Sequence, residues 1–457
     1  MKKSWLLALF FSWIYIFPYF GIFLSGFSTH AQYPGNWLAY LFILFHALGY
    51  LCGASLMKRF SSSRKVMLFS LGATIISNTA LWFFPEVLLL PGLALSGFIS
   101  SFFVLGWSHL YSTGEPDERA WIIIHMAIRS HLLTLVILLL NAHLGIQLKL
   151  VLVLAPLLIA LGLIALPQRR PEEYPSITPL FIRPVAVKFF LIFCIFISAV
   201  KLTAGFIYSI IYTSYPVMEK HLTILNYFEY FPHVLVLLIF LRYYDRLNKE
   251  YLALAGTTLL GFAYISFAIL RNTLHGFMIT TTLIEAAFAS INVFIWLLLG
   301  DMSNIYGRPH WFFGIGLSIN TGITVVGGIV GDAFLLPAAM PGFTTALLSA
   351  GLIILSLLTI IWLKENAEYN LVGFPDRYAL RIPADLSERL LDVFDAAGLT
   401  DREKEIVTLM LQGKTNRAIA EELCITENTI KSHCRNIYLK FKVHNKSELL
   451  VELAGKK

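Results

Sequence analysis

The sequence predicts an all-α protein in two parts: a polytopic membrane bundle of about twelve transmembrane helices, six plus six, and after it a compact unit of four short helices. Three observations carry this. Hydrophobic residues fill 57% of the 457 positions and charged residues only 14%, against about 25% charged in an ordinary soluble domain. Apolar runs of about twenty residues, enough to cross a bilayer as a helix, recur up to residue 363. From Leu399 onward the composition turns mixed and charged, with helical periodicity.

The first run, Trp5 to Phe27, follows Met1-Lys2-Lys3 and stands before a weak cleavage-like Thr29-His30-Ala31. It is too long for a signal core and is followed by many similar runs, so it reads as the first span. Later spans fall near Trp37–Met57, Val66–Phe84, Leu88–Tyr111, Trp121–Leu140 and Ile146–Leu166. A polar break, P-Q-R-R-P-E-E-Y-P-S-I-T-P, covers Pro167 to Pro179. Six more spans follow: Val187–Ile211, Ile224–Leu241, Tyr251–Leu270, Leu274–Leu299, Trp311–Phe334 and Phe343–Leu363. The expected membrane domain is thus 1–363, with halves 1–166 and 187–363 around a central loop 167–186.

Loop charge sets the orientation. With the spans threaded alternately, fourteen Lys or Arg fall on the side of the N-terminus and three (Lys149, Lys220, Arg271) on the other. Positive charge in short loops stays inside, so both termini are expected in the cytoplasm. The net charge of +7 agrees.

Six plus six spans around a central loop resemble the major facilitator fold. The basic loop Gly53 to Lys65 and the run Y-D-R-L-N-K, Tyr244 to Lys249, are similar to that family's two signature loops. The resemblance implies a transporter-like body, though fold alone does not give transport. Ionisable residues inside the spans are few. Arg129, Lys201, Glu229 and Glu285 form a candidate ligand pocket for a polar or charged small molecule, or else pair as glue between helices. His46, His109, His125, His131 and His233 read mainly as structural.

A linker, 364–398, carries Pro375, Pro383 and a short amphipathic helix, Leu386 to Ala397, with Leu386, Leu390, Leu391 and Phe394 on one face. The last part, 399–457, holds eleven Lys or Arg and eight Asp or Glu. Thr400 and Glu403 make a capping box before a stripe of Ile406, Val407, Leu409, Met410 and Leu411. Gly413 suits the helix stop, Thr415 or Asn416 caps a second helix, and Thr426 caps a third. Two short helices on a tight turn make a helix-turn-helix. On the third helix, Ile430, Cys434, Ile437 and Phe441 share one face, and Asn428, Lys431, Ser432 and Arg435 the opposite one. The latter is a polar, cationic stripe suited to a major groove. Lys440 belongs to the basic cluster at the end of that helix, expected to meet DNA phosphate. Asn445 and Lys446 begin a fourth helix with Leu449, Leu450 and Leu453 apolar.

This segment resembles the LuxR-type (GerE-type) helix-turn-helix domain of bacterial transcription regulators. The matching pieces are L-T-x-R-E at Leu399 to Glu403, G-K-T-N at Gly413 to Asn416, I-A-E-E-L at Ile419 to Leu423, and T-E-N-T-I-K-S-H at Thr426 to His433. The resemblance implies a recognition helix whose base-contacting positions fall on Lys431, Ser432 and Arg435. It places phosphate contacts on Thr415, Asn416 and Thr429. Lys442 stands where the family usually has Gly, and Asn445-Lys446 replaces a common small-Arg pair.

Cys52, Cys194, Cys424 and Cys434 show no metal-ligand spacing and read as small buried residues. No P-loop, paired catalytic carboxylates or zinc motif occurs, so neither enzyme activity nor a cofactor is expected. The expected protein is a membrane-embedded, one-component transcription regulator. Its partners would be double-stranded promoter DNA, the lipid bilayer, a second copy through the DNA-binding domain, a small-molecule effector and, as a further candidate, RNA polymerase. The alternative is a secondary transporter of the major facilitator type with a regulatory DNA-binding tail.

Overall fold

A computed structural model of the chain describes residues 2–19, 35–57, 63–114, 116–141, 146–166, 184–207, 209, 227–243, 249–270, 273–335, 341–371, 393–411, 416–423, 425–443, 449 and 453. Every regular element among them is helical. The chain divides into two compact units, Met1–Trp362 and Leu363–Lys457.

The first unit holds α1 (Lys2–Ile14), α2 (Gly35–Leu56), α3 (Ser63–Phe83), α4 (Pro85–Ser112), α5 (Pro116–Asn141) and α6 (Ile146–Ala165). These are followed by α7 (Pro184–Phe206), α8 (Tyr230–Arg242), α9 (Lys249–Leu270), α10 (Leu274–Tyr306), α11 (Pro309–Val330) and α12 (Pro341–Leu371), which runs on past the unit's end. Among the described residues ten of these helices are long and apolar enough to cross a membrane; α1 and α8 are shorter apolar helices. After α1 the backbone widens into a π turn, Tyr15–Tyr19, containing Pro18. Proline offers no N–H to the α-helical ladder, and π turns commonly absorb such a break.

The alternate threading is visible at the helix ends. At one end Lys3 pairs with Glu118 at 3.2 Å. Arg64 donates to the carbonyls of Ile164 and Ala165, both at 3.1 Å. At the same kind of end, Asp301 receives Arg119 and Lys249. At the opposite kind of end, Asp332 accepts Tyr40 Oη at 3.0 Å and Ser209 Oγ at 2.5 Å. Within each of these clusters the groups come from helix ends that alternate threading assigns to the same side.

The window for the tenth span stopped at Leu299, yet α10 continues to Tyr306. Two polar residues beyond Leu299 are satisfied in place: Asp301 by two cations, and Asn304 by a bond to the Ser112 carbonyl. Close helix crossings use glycine, as expected where burial against lipid gives no driving force and backbones must touch. A Cβ on Gly205 of α7 would lie 2.4 Å from Gly328 N of α11. One on Gly314 of α11 would lie 2.6 Å from Ala54 Cβ of α2.

In the second unit α13 (Asp401–Leu411), α14 (Asn416–Glu422) and α15 (Glu427–Phe441) pack around one core. Ile406, Val407, Met410, Ile419, Ile430 and Ile437 are at most 1% exposed. Leu449 and Leu453 join this core, while the rest of the expected fourth helix, with Asn445 and Lys446, lies outside the described residues. Of the expected linker helix, Phe394 is buried in the same core, and Leu386 to Leu391 lie outside the described residues. Gly398 ends that turn at φ 70°, with Leu399 N donating to Phe394 O at 3.0 Å.

Candidate DNA-binding face and membrane cavity

The local caps of the second unit follow from its sequence. Thr400 N donates to Glu403 Oε2 at 2.8 Å and Glu403 N to Thr400 Oγ1 at 3.3 Å, a reciprocal capping box that starts α13. Thr426 caps α15 by accepting Thr429 N at 3.2 Å. At the far end Lys442 adopts the left-handed conformation, φ 57°, and Val443 N bonds Tyr438 O at 2.9 Å. The usual glycine conformation is therefore kept with a lysine in it. Between α14 and α15, Ile425 N bonds Ala420 O at 3.0 Å, and Arg402 Nη2 reaches from α13 to Leu423 O at 2.9 Å. These bonds hold the tight turn.

α15 then shows two faces. Ile430, Cys434, Ile437 and Phe441 are buried. Asn428, Lys431, Ser432 and Arg435 are exposed, and so is Thr429. A shallow hollow is lined by Asn416, Lys431 and Arg435, which brings the start of α14 beside the cationic stripe. Asn416 Oδ1 faces Cys434 Sγ at 3.7 Å. Thr415 lies outside the described residues.

Lys440, expected at DNA phosphate, makes bonds inside the unit. Its ammonium donates to Glu403 Oε2 at 2.6 Å and to Gly398 O at 2.8 Å, tying the end of α15 to the start of α13. Two of its three N–H donors are thus occupied within the unit. Burial alone would raise the Glu403 carboxyl, but the bonds from Lys440 and Thr400 hold it below the usual carboxylate range. The sequence counted Lys440 by charge alone, and charge does not reveal an internal acid 37 residues away on another helix.

In the membrane unit, helices α1, α2, α5, α7, α8, α10 and α11 surround a cavity of about 180 Å³. Lys201, Glu229 and Glu285 line it, as do His131 and His233. The His131 and His233 rings stack at 4.0 Å, and His233 Nδ1 lies 2.9 Å from Glu285 Oε2. Arg129, expected in the same pocket, is not part of the lining. Its guanidinium donates to Ser4 Oγ at 2.5 Å and sits 4.5 Å from the Trp5 ring centre. A long cationic side chain buries its stem and carries its head to a polar or aromatic partner, and here that partner is α1. His46 is structural in the same sense: its ring nitrogens meet Gly97 O, Ser100 Oγ and Tyr50 Oη, each at 3.0 Å. Asn292 and Asn320 also line the cavity and were missed. The available signal was spacing, since Asn292 stands seven residues after Glu285 on α10, two helical turns along one face.

Comparison with known proteins bears on both units. The family described as bacterial regulatory proteins, luxR family, matches residues 397–453. Spore germination protein GerE of Bacillus subtilis is 44% identical over 55 residues, which cover 12% of this chain and 74% of that protein. Through this segment the chain belongs to the luxR family. The transcriptional regulatory protein LiaR of Bacillus subtilis is 47% identical over 53 residues, 12% of this chain and 25% of that protein. The monoamine regulon transcriptional regulator of Klebsiella aerogenes is 44% identical over 52 residues, 11% of this chain and 23% of that protein. The chain thus spans about a quarter of these last two relatives.

The membrane unit of this luxR-family chain resembles solved transporters. The human organic anion transporter MFSD10 matches with TM-score 0.57 and 14% identity, over 79% of this chain and 97% of that one. The major facilitator superfamily transporter FucP, in its outward conformation, matches with TM-score 0.56 and 14% identity, over 79% and 98%. A bacterial homologue of the iron transporter ferroportin, outward-facing, gives 0.59 and 12%, over 80% and 98%. At such identities the shared property is the fold. The protein is a luxR-type DNA-binding domain joined to a major-facilitator-like, multi-pass membrane body.

Proposed function

We propose that the protein is a one-component transcription regulator embedded in the bacterial inner membrane, with both termini in the cytoplasm. The observation that carries this is the exposed Asn428, Lys431, Ser432 and Arg435 stripe on α15 of a luxR-family domain, in a chain whose other unit is a membrane bundle. Those four side chains read base edges in the major groove, and Thr415, Asn416 and Thr429 meet phosphate. A dimer on paired half-sites gives the spacing such domains need, and bound there it contacts RNA polymerase. The activity is regulated binding, with no catalytic step.

The membrane cavity is the effector site. Lys201, Glu229 and Glu285 give it polar groups amid apolar walls, the composition of small-molecule sites. An effector acts by binding two conformations of the bundle with different affinity, and so biases the tethered domains toward or away from paired half-sites.

The test is chromatin-immunoprecipitation mapping of the full-length protein beside the Lys431→Ala/Arg435→Ala variant. Discrete peaks lost in the variant support the regulator. Absence of peaks in every growth condition, with solute uptake by proteoliposomes that Glu285→Gln abolishes, would make the protein a transporter instead.

A further inference from the structure

Lys201 differs from the other charged groups of the membrane cavity. It lies on α7, lines the cavity and is 8% exposed. Its ammonium donates to Asn292 Oδ1 at 3.0 Å and lies 5.4 Å from the centre of the Phe288 ring. Both partners are neutral. Among the described residues no carboxylate lies within ion-pair distance of it; Glu285 faces His233 instead, and Glu229 has its own partner.

An ammonium carries three N–H donors and no acceptor. It therefore fixes the orientation of Asn292, whose oxygen must face Lys201 and whose NH2 group is left as a further donor. Around Lys201 and Asn292 the cavity thus offers positive charge and N–H groups with no carboxylate in ion-pair contact with them among the described residues. A charge held at membrane depth faces either a partner or a cavity that admits one. On α11 Asn320 Oδ1 also lines the cavity and is buried without a hydrogen-bond partner. That atom requires a donor. Phe288 and Trp296 supply aromatic walls.

Resting on the reading of this cavity as the effector site, we infer that the effector is a small organic anion, a carboxylate or similarly compact acid, with an apolar or aromatic body and a hydroxyl or N–H donor. The anion sits on Lys201 Nζ and Asn292 Nδ2, the donor on Asn320 Oδ1, and the body against Phe288 and Trp296. A space of about 180 Å³ keeps the molecule small.

Four probes of similar shape separate the alternatives: hydrocinnamate, phenyllactate, hydrocinnamamide and phenethylamine. Each is titrated against the full-length protein in nanodiscs, read by the unfolding midpoint and by tryptophan fluorescence. The two carboxylates are expected to raise the midpoint, phenyllactate more, and the neutral amide and the amine to leave it unchanged. Lys201→Met is expected to weaken carboxylate binding by about tenfold or more, Lys201→Arg to keep part of it, and Asn320→Leu to remove only the advantage of phenyllactate. A cooperative unfolding transition of each variant without probe reports separately that its membrane unit, Met1–Trp362, is folded. Carboxylate binding unchanged by Lys201→Met overturns the anion assignment. Binding of phenethylamine alone, lost in Glu285→Gln, replaces the anion by a cation while the cavity stays the effector site. No shift by any of the four overturns both readings.

Discussion

Arg119 of α5, which is buried, and Asp301 of α10, which is part-buried, form an ion pair that joins the first six helices to the second six. The other Asp301 oxygen accepts Lys249 Nζ at 2.5 Å. One carboxylate therefore holds two cations from separate helices. Asp301→Asn keeps the shape and removes the charge, leaving a guanidinium and an ammonium facing each other across an amide. Removing one partner of a buried pair costs about 3–5 kcal/mol, more than the pair contributes, because a charge is stranded. A large fall in the unfolding midpoint in detergent is expected for Asp301→Asn. The loss in Arg119→Ala/Asp301→Ala should be less than the sum of the two single losses. An unchanged midpoint in Asp301→Asn would mean that the cluster does not hold the halves.

Arg435 and Lys440 stand on one helix and should fail differently. Arg435 is exposed on the proposed base-reading stripe. Arg435→Ala is expected to lose about 1–3 kcal/mol of specific binding for each base contact removed, with the domain's stability unchanged. Lys440 is bonded to Glu403 and Gly398. Lys440→Ala should lower the stability of residues 399–443 by about 1–3 kcal/mol and leave the affinity of the folded fraction near that of the parent. Footprinting together with hydrogen exchange separates the two effects. A reversed pattern would move the DNA contact to Lys440.

Elements whose cause is local were legible in the sequence. The box at Thr400 and Glu403 and the cap at Thr426 need only neighbours three residues away, and the buried stripe of α15 needs only helical period. Apolar windows likewise located the membrane helices, but they stop where the sequence turns polar at a helix end. The extension of α10 through Asp301 depends on Arg119 and Lys249, distant in sequence, and no window contains them. The same blindness explains the pocket. Lys201 and Glu285 line it because their helices face inward, whereas Arg129 belongs to Ser4 and Trp5 of α1. Composition shows that a charge lies at membrane depth but not which neighbour receives it.

Lys442 closes α15 with φ 57°, the one positive φ of a non-glycine among the described residues. The left-handed region brings Cβ against the backbone, and glycine avoids that cost. Lys442→Gly is therefore expected to stabilise the DNA-binding unit by about 0.5–1 kcal/mol, part of the relief being offset by the freer unfolded chain. Slower hydrogen exchange across Tyr438 to Val443 in the full-length variant would report it. Faster exchange there would show that the lysine stem contributes more than its backbone costs.

Glu403 predicts a pH response confined to the DNA-binding unit. Its carboxylate receives Lys440 Nζ at 2.6 Å and Thr400 N at 2.8 Å, and its pKa in the folded chain lies below the ordinary glutamate value. A group depressed on folding stabilises the fold above its unfolded pKa, about 4.3 for glutamate, and that stability disappears as pH falls through the folded value. Protonation also takes the charge from the bond to Lys440, loosening the end of α15 that follows the proposed recognition stripe. Protection of residues 399–443 in hydrogen exchange should be constant from neutral pH to about 5 and then fall with acid. In Glu403→Gln the unit starts less stable and the acid-dependent part of the fall is smaller. An equal acid-dependent fall in both proteins would assign the response to other carboxylates.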